Sequence, residues 1–143
     1  MKKIDLRHID SDQDYQACFS VMQALRPHLS SSHTFMTRAR RQARQGYRLL
    51  AAWQNEQVVG LAGYRMQENL LYGSFLYVDD LVAAPQARRD GVGATLIDAL
   101  RTQAKQQGCA HFVLDTALEN ALGQRFYYRQ GLLARGMHFC QPL

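Results

Sequence analysis

The chain has 143 residues, 47% of them hydrophobic and 20% charged, with a net charge of +5. That is enough for one buried core and excludes a disordered chain. The positive balance suits an anionic ligand, and no basic stripe with interleaved aromatics favours nucleic acid.

The N-terminal Met1-Lys2-Lys3-Ile4-Asp5 has no apolar run behind its lysines, so neither a signal peptide nor a membrane span is expected, and the reading is cytoplasmic. Cys18, Cys109 and Cys140 are scattered and odd in number, and no His-Glu-x-x-His pattern occurs, so neither a disulfide framework nor a metal site is expected.

Residues 3–9 alternate loosely, with Ile4, Leu6 and His8 on one side, and predict a first strand. Asp10 or Ser11 can cap the helix that follows, whose buried stripe is Tyr15, Cys18, Phe19, Met22 and Leu25, and Pro27 ends it. Residues 26–34 read as a polar connection, and a second helix runs from Phe35 to about Gln45. Its Arg38, Arg40, Arg41 and Arg44 read first as a solvated basic face. Residues 47–53 and 58–66 predict a hairpin, with a further turn at Glu68-Asn69 before a strand over 72–83.

From Gly91 an amphipathic run carries Val92, Leu96, Ala99, Leu100 and Ala104 at helical spacing, and Gly108 closes it. Residues 110–116 predict a short strand buried on both faces, 120–130 a short helix, and 132–141 a last strand. The whole, 1–143, reads as one domain.

The strand–turn–helix passage at 79–94 is the most informative stretch. Pro85 stops the strand, and Gly91 and Gly93 open the helix. A glycine turn entering a helix collects unpaired backbone N–H groups and the positive end of the helix dipole, and Arg88 and Arg89 add whole charges. Such a turn binds a phosphate or pyrophosphate. A P-loop would need Lys-Ser/Thr after its glycines, and a dinucleotide fingerprint a third glycine where Leu96 stands.

What does match is Arg88-Arg89-Asp90-Gly91-Val92-Gly93, followed downstream by Asn120 and then Phe126-Tyr127-Tyr128-Arg129-Gln130-Gly131-Leu132. Together these resemble the two motifs of the GCN5-related N-acetyltransferases, over about residues 47–132. Leu132 replaces the usual Phe, and Gly123 the usual Ala. The resemblance implies an α/β (α+β) acyl-CoA N-acyltransferase fold. Its mixed central sheet would have about six to seven strands, with about four flanking helices.

The resemblance also implies acetyl-CoA as cosubstrate. The pyrophosphate would lie on Arg88, Arg89, Asp90, Gly91, Val92, Gly93 and Ala94, and the pantetheine arm along Leu81, Val82, Ala83 and Asn120. Tyr127 would sit near the CoA sulfur as general acid. Tyr77-x-Asp79-Asp80-x-x-Ala83 further resembles the diamine acetyltransferase branch, where an acidic pair contacts the amine. Asp stands for Glu at the first acid, and Ala83 for valine at the strand end. Asp79 and Asp80 are thus the candidate acid–base and acceptor residues. Strand alternation aims at most one of them into the cleft, with Asp79 on the face of Tyr77, Leu81 and Ala83. Arg26, His28 and His33 are candidates for the acceptor wall, and Asp115 and Glu119 are secondary acids.

The implied activity is direct ternary-complex transfer of acetyl to a primary amine of a small cationic acceptor. Two other readings stand beside it: an acyl-CoA-binding sensor without transfer, and a protein N-acetyltransferase. Relatives often pair as dimers through their last strands. His138 and Cys140 share a face of the predicted last strand and read as core or acceptor-wall residues.

Overall fold

The computed structural model describes residues 3–143. The chain forms two compact units, Met1–Val113 and Leu114–Leu143.

The first unit is built on an open sheet with strand order β1-β2-β3-β4-β5. The elements are β1 (Asp5–His8), α1 (Asp12–Leu25), α2 (Ser32–Ala43), β2 (Arg48–Gln54), β3 (Gln57–Asn69), β4 (Gly73–Ala83), a 3-10 turn (Pro85–Asp90), α3 (Val92–Gln106) and β5 (His111–Leu114). The first four strands pair antiparallel in sequence order.

Local chemistry sets the boundaries. The Ser11 hydroxyl accepts from the Asp14 N–H at 3.1 Å and starts α1; Ser31 does the same for Thr34 and starts α2. That second cap is why α2 begins earlier than its first buried residue, Phe35, would suggest. Asn55 and Glu56 both take positive φ, 49° and 64°, closing a two-residue β2–β3 turn whose twist matches that of the strands. β3 runs on to Asn69, whose side chain accepts from the Tyr72 N–H, so the turn falls at Leu70–Tyr72 rather than at Glu68.

β2 and β3 are buried on both faces. Leu49, Ala51, Trp53 and Leu61 pack with Tyr15, Cys18, Val21, Met22, Phe35 and Ala39 of α1 and α2. The alternate residues of these strands face α3, whose Val92, Leu96, Ile97 and Leu100 have no exposure. Gly60 lets the two layers close, since a Cβ there would collide with Val92. Val21 joins the buried stripe of α1, and in α3 Ile97, rather than Ala99, is buried with Val92, Leu96 and Leu100. β5 is half-buried, not sealed on both faces, because it is the last strand in the sheet order.

The second unit contains α4 (Ala121–Arg129) and an irregular, exposed segment from 132 to 143. The predicted last strand is absent among the described residues, and the sheet has five strands rather than six or seven. A strand exists through its ladder, and residues 132–143 have no pairing partner here. His138 and Cys140 therefore share no strand face; His138 Nδ1 lies 3.4 Å from Asp115 Oδ2, and Cys140 is exposed. Among the described residues, no helix is long and apolar enough to cross a membrane, and no cluster of three or more His, Cys, Asp or Glu side chains is placed to hold a metal.

Candidate active site

The acidic pair sits at a fault in the sheet. β4 pairs Asp80 with Gly63, but the next pair is Val78 with Tyr64, so Asp79 has no partner across the ladder. This is a β-bulge, and it resets the alternation of side chains. Tyr77 lies opposite Arg65 and Val82 opposite Leu61, both on the face covered by α1 and α2. The extra residue brings Asp80 to that face as well as Asp79, while Leu81, opposite Ala62, turns away. The expectation that alternation admits only one acid, with Asp79 beside Leu81, is corrected: bulges break the period of two on which it rests.

Each acid has its own cation. Arg26, at the C-cap of α1, donates Nε–H to Asp80 Oδ1 at 2.9 Å and Nη2–H to the Asp79 carbonyl at 2.9 Å. The Tyr47 hydroxyl donates to Asp80 Oδ2 at 2.8 Å. Arg65 donates Nε–H at 3.0 Å, and Nη2–H, to Asp79 Oδ2, and bonds Gln42 of α2 at 3.0 Å. The Arg65 guanidinium also lies 5.5 Å from the centre of the Tyr47 ring. Gly63 makes the arrangement possible, since a Cβ there would strike the Tyr47 hydroxyl and Asp80 Oδ2. Arg88 and Arg89 take no part in it.

One oxygen is left over. Asp79 Oδ1 is buried without a hydrogen-bond partner. Burial pushes the Asp79 carboxyl above the usual carboxylate range, Arg65 opposes this by hydrogen bond and charge, and Asp80 adds to it. A carboxylate with a raised pKa and an unengaged oxygen is a competent proton acceptor. Burial, and then Asp80, hold the Tyr47 phenol well above its ordinary value, so Tyr47 is a donor that keeps its proton.

β4 leads from this bulge through Leu81, Val82 and Ala83 to the 3-10 turn and Gly91. Gly91 takes φ +76° with open space around it, so the backbone conformation, rather than crowding, calls for glycine. No side chain caps α3. The N–H groups of Val92, Gly93 and Ala94 therefore begin the helix without a side-chain acceptor, beside exposed Arg88 and Arg89 and half-buried Asp90. Among the described residues Arg88 and Arg89 have no ion-pair partner. The turn can receive an anion of more than one charge.

In the second unit, Asn120 is the N-cap of α4: its Oδ1 accepts from the Gly123 N–H at 3.0 Å, and its Nδ2 donates to Thr116 at 3.1 Å. A Cβ on Gly123 would collide with that amide, which accounts for glycine in a helix. Tyr127 is half-buried, edge-on to Phe126 at 5.4 Å, and burial raises its pKa. Tyr128 is 56% exposed, which leaves Tyr127 as the sheltered phenol of the pair.

Arg26 thus joins the acids, as a partner of both. His28 is exposed on the same connection, and His33 is exposed in the first turn of α2; neither bonds the pair. Reasoning from sequence missed Arg65, Tyr47 and Gln42. The available signal was Arg65 itself, the one charged residue of the apolar run 58–66. Cys18 is no rival nucleophile: burial pushes its thiol up to about 12.

Comparison with known proteins bears on the family and the fold. The model of the acetyltransferase (GNAT) family matches residues 11–132. An aminoalkylphosphonate N-acetyltransferase of Salmonella typhimurium is 30% identical over 98 residues, 68% of this chain and 62% of that protein. An aminoglycoside N(6')-acetyltransferase of Klebsiella aerogenes is 28% identical over 106 residues, 71% of this chain and 70% of that protein. The fold is shared with an aminoglycoside N-acetyltransferase solved in complex with CoA, at TM-score 0.85 and 15% identity over 100% of this chain and 97% of that one. A Trypanosoma brucei acetyltransferase superposes at TM-score 0.82 and 21% identity, over 99% and 100% of the two chains.

Proposed function

We propose that this chain, which belongs to the acetyltransferase (GNAT) family, moves an acetyl group from acetyl-CoA to a primary amine of a small acceptor whose amino end is cationic before reaction. The observation that carries this reading is the bulge, which puts two acids on one face of the strand that runs into an open helix N-terminus. The family match covers residues 11–132, running across Val113, and supports reading the chain as a single acetyltransferase domain. Both curated relatives are named for small amine acceptors.

The roles given to Asp79 and the glycine turn rest on the first unit's geometry, and those given to Asn120 and Tyr127 rest on the family motif they match. A free alkylamine has a pKa of about 10 and is mostly ammonium at neutral pH. Asp79 Oδ1 takes its proton, directly or through one water. The neutral nitrogen attacks the thioester carbonyl carbon in a ternary complex, the N–C bond forms, and the C–S bond breaks. Tyr127 gives its proton to the departing thiolate. The N–H groups of Val92, Gly93 and Ala94, with Arg88 and Arg89, hold the pyrophosphate, and Leu81 to Ala83 guide the pantetheine arm. In this scheme Asn120 serves α4 as its cap and offers its remaining amide N–H to the same arm. Pairing of two copies is proposed to involve the exposed Leu133, Met137 and Phe139, and light scattering tests it by molar mass.

The test is incubation with acetyl-CoA and a panel of small amines, following thiol release and acetylated product by mass spectrometry. Acetylated amine supports the reading. Acetyl-CoA binding by calorimetry without product from any amine would make the chain a sensor. Product only from a peptide α-amine would make it a protein acetyltransferase.

A further inference from the structure

We infer that the acceptor is a zwitterion: a small amine that carries a carboxylate, phosphonate or similar anionic group, which Arg26 reads. This deepens the acetyl transfer proposed above and rests on it.

The balance of charge at the bulge is the starting point. Two carboxylates, Asp79 and Asp80, face two guanidiniums, Arg65 and Arg26. The pair is therefore neutralised before any acceptor arrives. An ammonium brought to Asp79 leaves one positive charge in excess, and a diamine leaves two. An anionic group on the same molecule cancels the excess of the first. In a half-buried site this difference is not screened away as it would be in water.

The two guanidiniums differ in reach. The Arg65 side chain is 16% exposed and is held by Asp79, Gln42 and the Tyr47 ring. The Arg26 side chain is 41% exposed. Its Nε and Nη2 are engaged by Asp80 and the Asp79 carbonyl, and its Nη1 has no partner among the described residues. A guanidinium has five N–H donors in one plane, so Nη1 can bond a carboxylate or phosphonate oxygen while the far edge keeps Asp80. Both Arg26 and the bulge belong to the first unit, and the Nη2 bond to the Asp79 carbonyl ties the two together. The acceptor that fits has its amine at Asp79 and its anion at Arg26, a short distance apart. The acids alone would suggest a polyamine; their arginine partners argue against it.

The experiment uses the full chain and acceptors of one length: aminoethylphosphonate, β-alanine, ethanolamine and ethylenediamine. Wild type is expected to acetylate aminoethylphosphonate or β-alanine with kcat/KM at least about tenfold above ethylenediamine, the usual worth of a charge-assisted hydrogen bond. Arg26→Leu is expected to lower that ratio about tenfold or more, by removing the reader and freeing Asp80 for a second ammonium. Ethylphosphonate, which lacks the amine, is expected to inhibit wild type competitively against the acceptor; this arm needs no variant and stands even if Arg26→Leu fails to fold. Equal or faster turnover of ethylenediamine by wild type, or no inhibition by ethylphosphonate, overturns the inference while leaving acetyl transfer intact. Absence of product from all four and from the wider panel overturns the transfer itself.

Discussion

At the bulge of β4 every carboxylate oxygen but one has an arginine or tyrosine partner, whereas Arg88, Arg89 and the start of α3 have none among the described residues. The first region is assembled from residues in or beside α1, α2, β2, β3 and β4, which hold one another in place. The second is a single local turn with exposed Arg88 and Arg89 and no side-chain cap on the helix it opens. The contrast matches the two tasks proposed for these regions. Reaction chemistry needs groups held in place before the acceptor arrives, because reorganisation during the reaction raises the barrier. Holding a multiply charged anion needs only convergent donors and access.

The largest effect that would test the contrast belongs to the open region. Gly91→Glu combined with Gly93→Glu places two carboxylates where the anion belongs and forces a side chain onto the φ of +76° at Gly91. Calorimetric titration should show acetyl-CoA binding abolished, with far-ultraviolet circular dichroism unchanged. Next is Tyr127→Phe, which removes the proposed general acid; kcat should fall about a hundredfold, within the range for lost acid–base catalysis, with KM for acetyl-CoA little changed. In the preassembled region, Gly63→Ala drives a Cβ into Tyr47 and Asp80, and should cost about 1–3 kcal/mol in thermal or urea unfolding, as overpacking does. Smaller still is Arg88→Ala. It should weaken acetyl-CoA binding by about 1 kcal/mol at low salt and less at high salt, the mark of a solvent-exposed charge.

The same contrast explains what the sequence made legible. Gly91, Arg88 and Arg89 form a contiguous motif, so the role proposed for them follows from local rules of helix starts. The β2–β3 hairpin and the stripes of α1 and α3 follow likewise from periodicity. The bulge does not, because one extra residue in β4 is defined only against its partner β3. Arg26, Tyr47 and Arg65 come from three separate elements, and nothing local marks them as partners of Asp79 and Asp80. Residues 132–141 show the opposite failure: an acceptable strand pattern with no partner to pair with. Gly123, a departure from the family motif, is explained only by the Asn120 amide folded over it.

The most direct measurement is the pH dependence of kcat/KM for acetylated-amine formation by wild type and Asp79→Asn. Burial raises the Asp79 pKa, so the folded chain binds this proton more tightly than the unfolded one. Asp79's contribution to stability is then present below its unfolded pKa and is lost as pH rises through the folded value, while its capacity as a base appears over that same rise. Wild-type activity should therefore climb with pH through a limb lying above the ordinary aspartate range. Arg65→Met, by removing the opposing charge, should move that limb further up. Asp79→Asn should lose the limb and about a hundredfold or more in rate. A variant with wild-type rate and an unchanged acid limb would contradict the assignment of Asp79 as the proton acceptor.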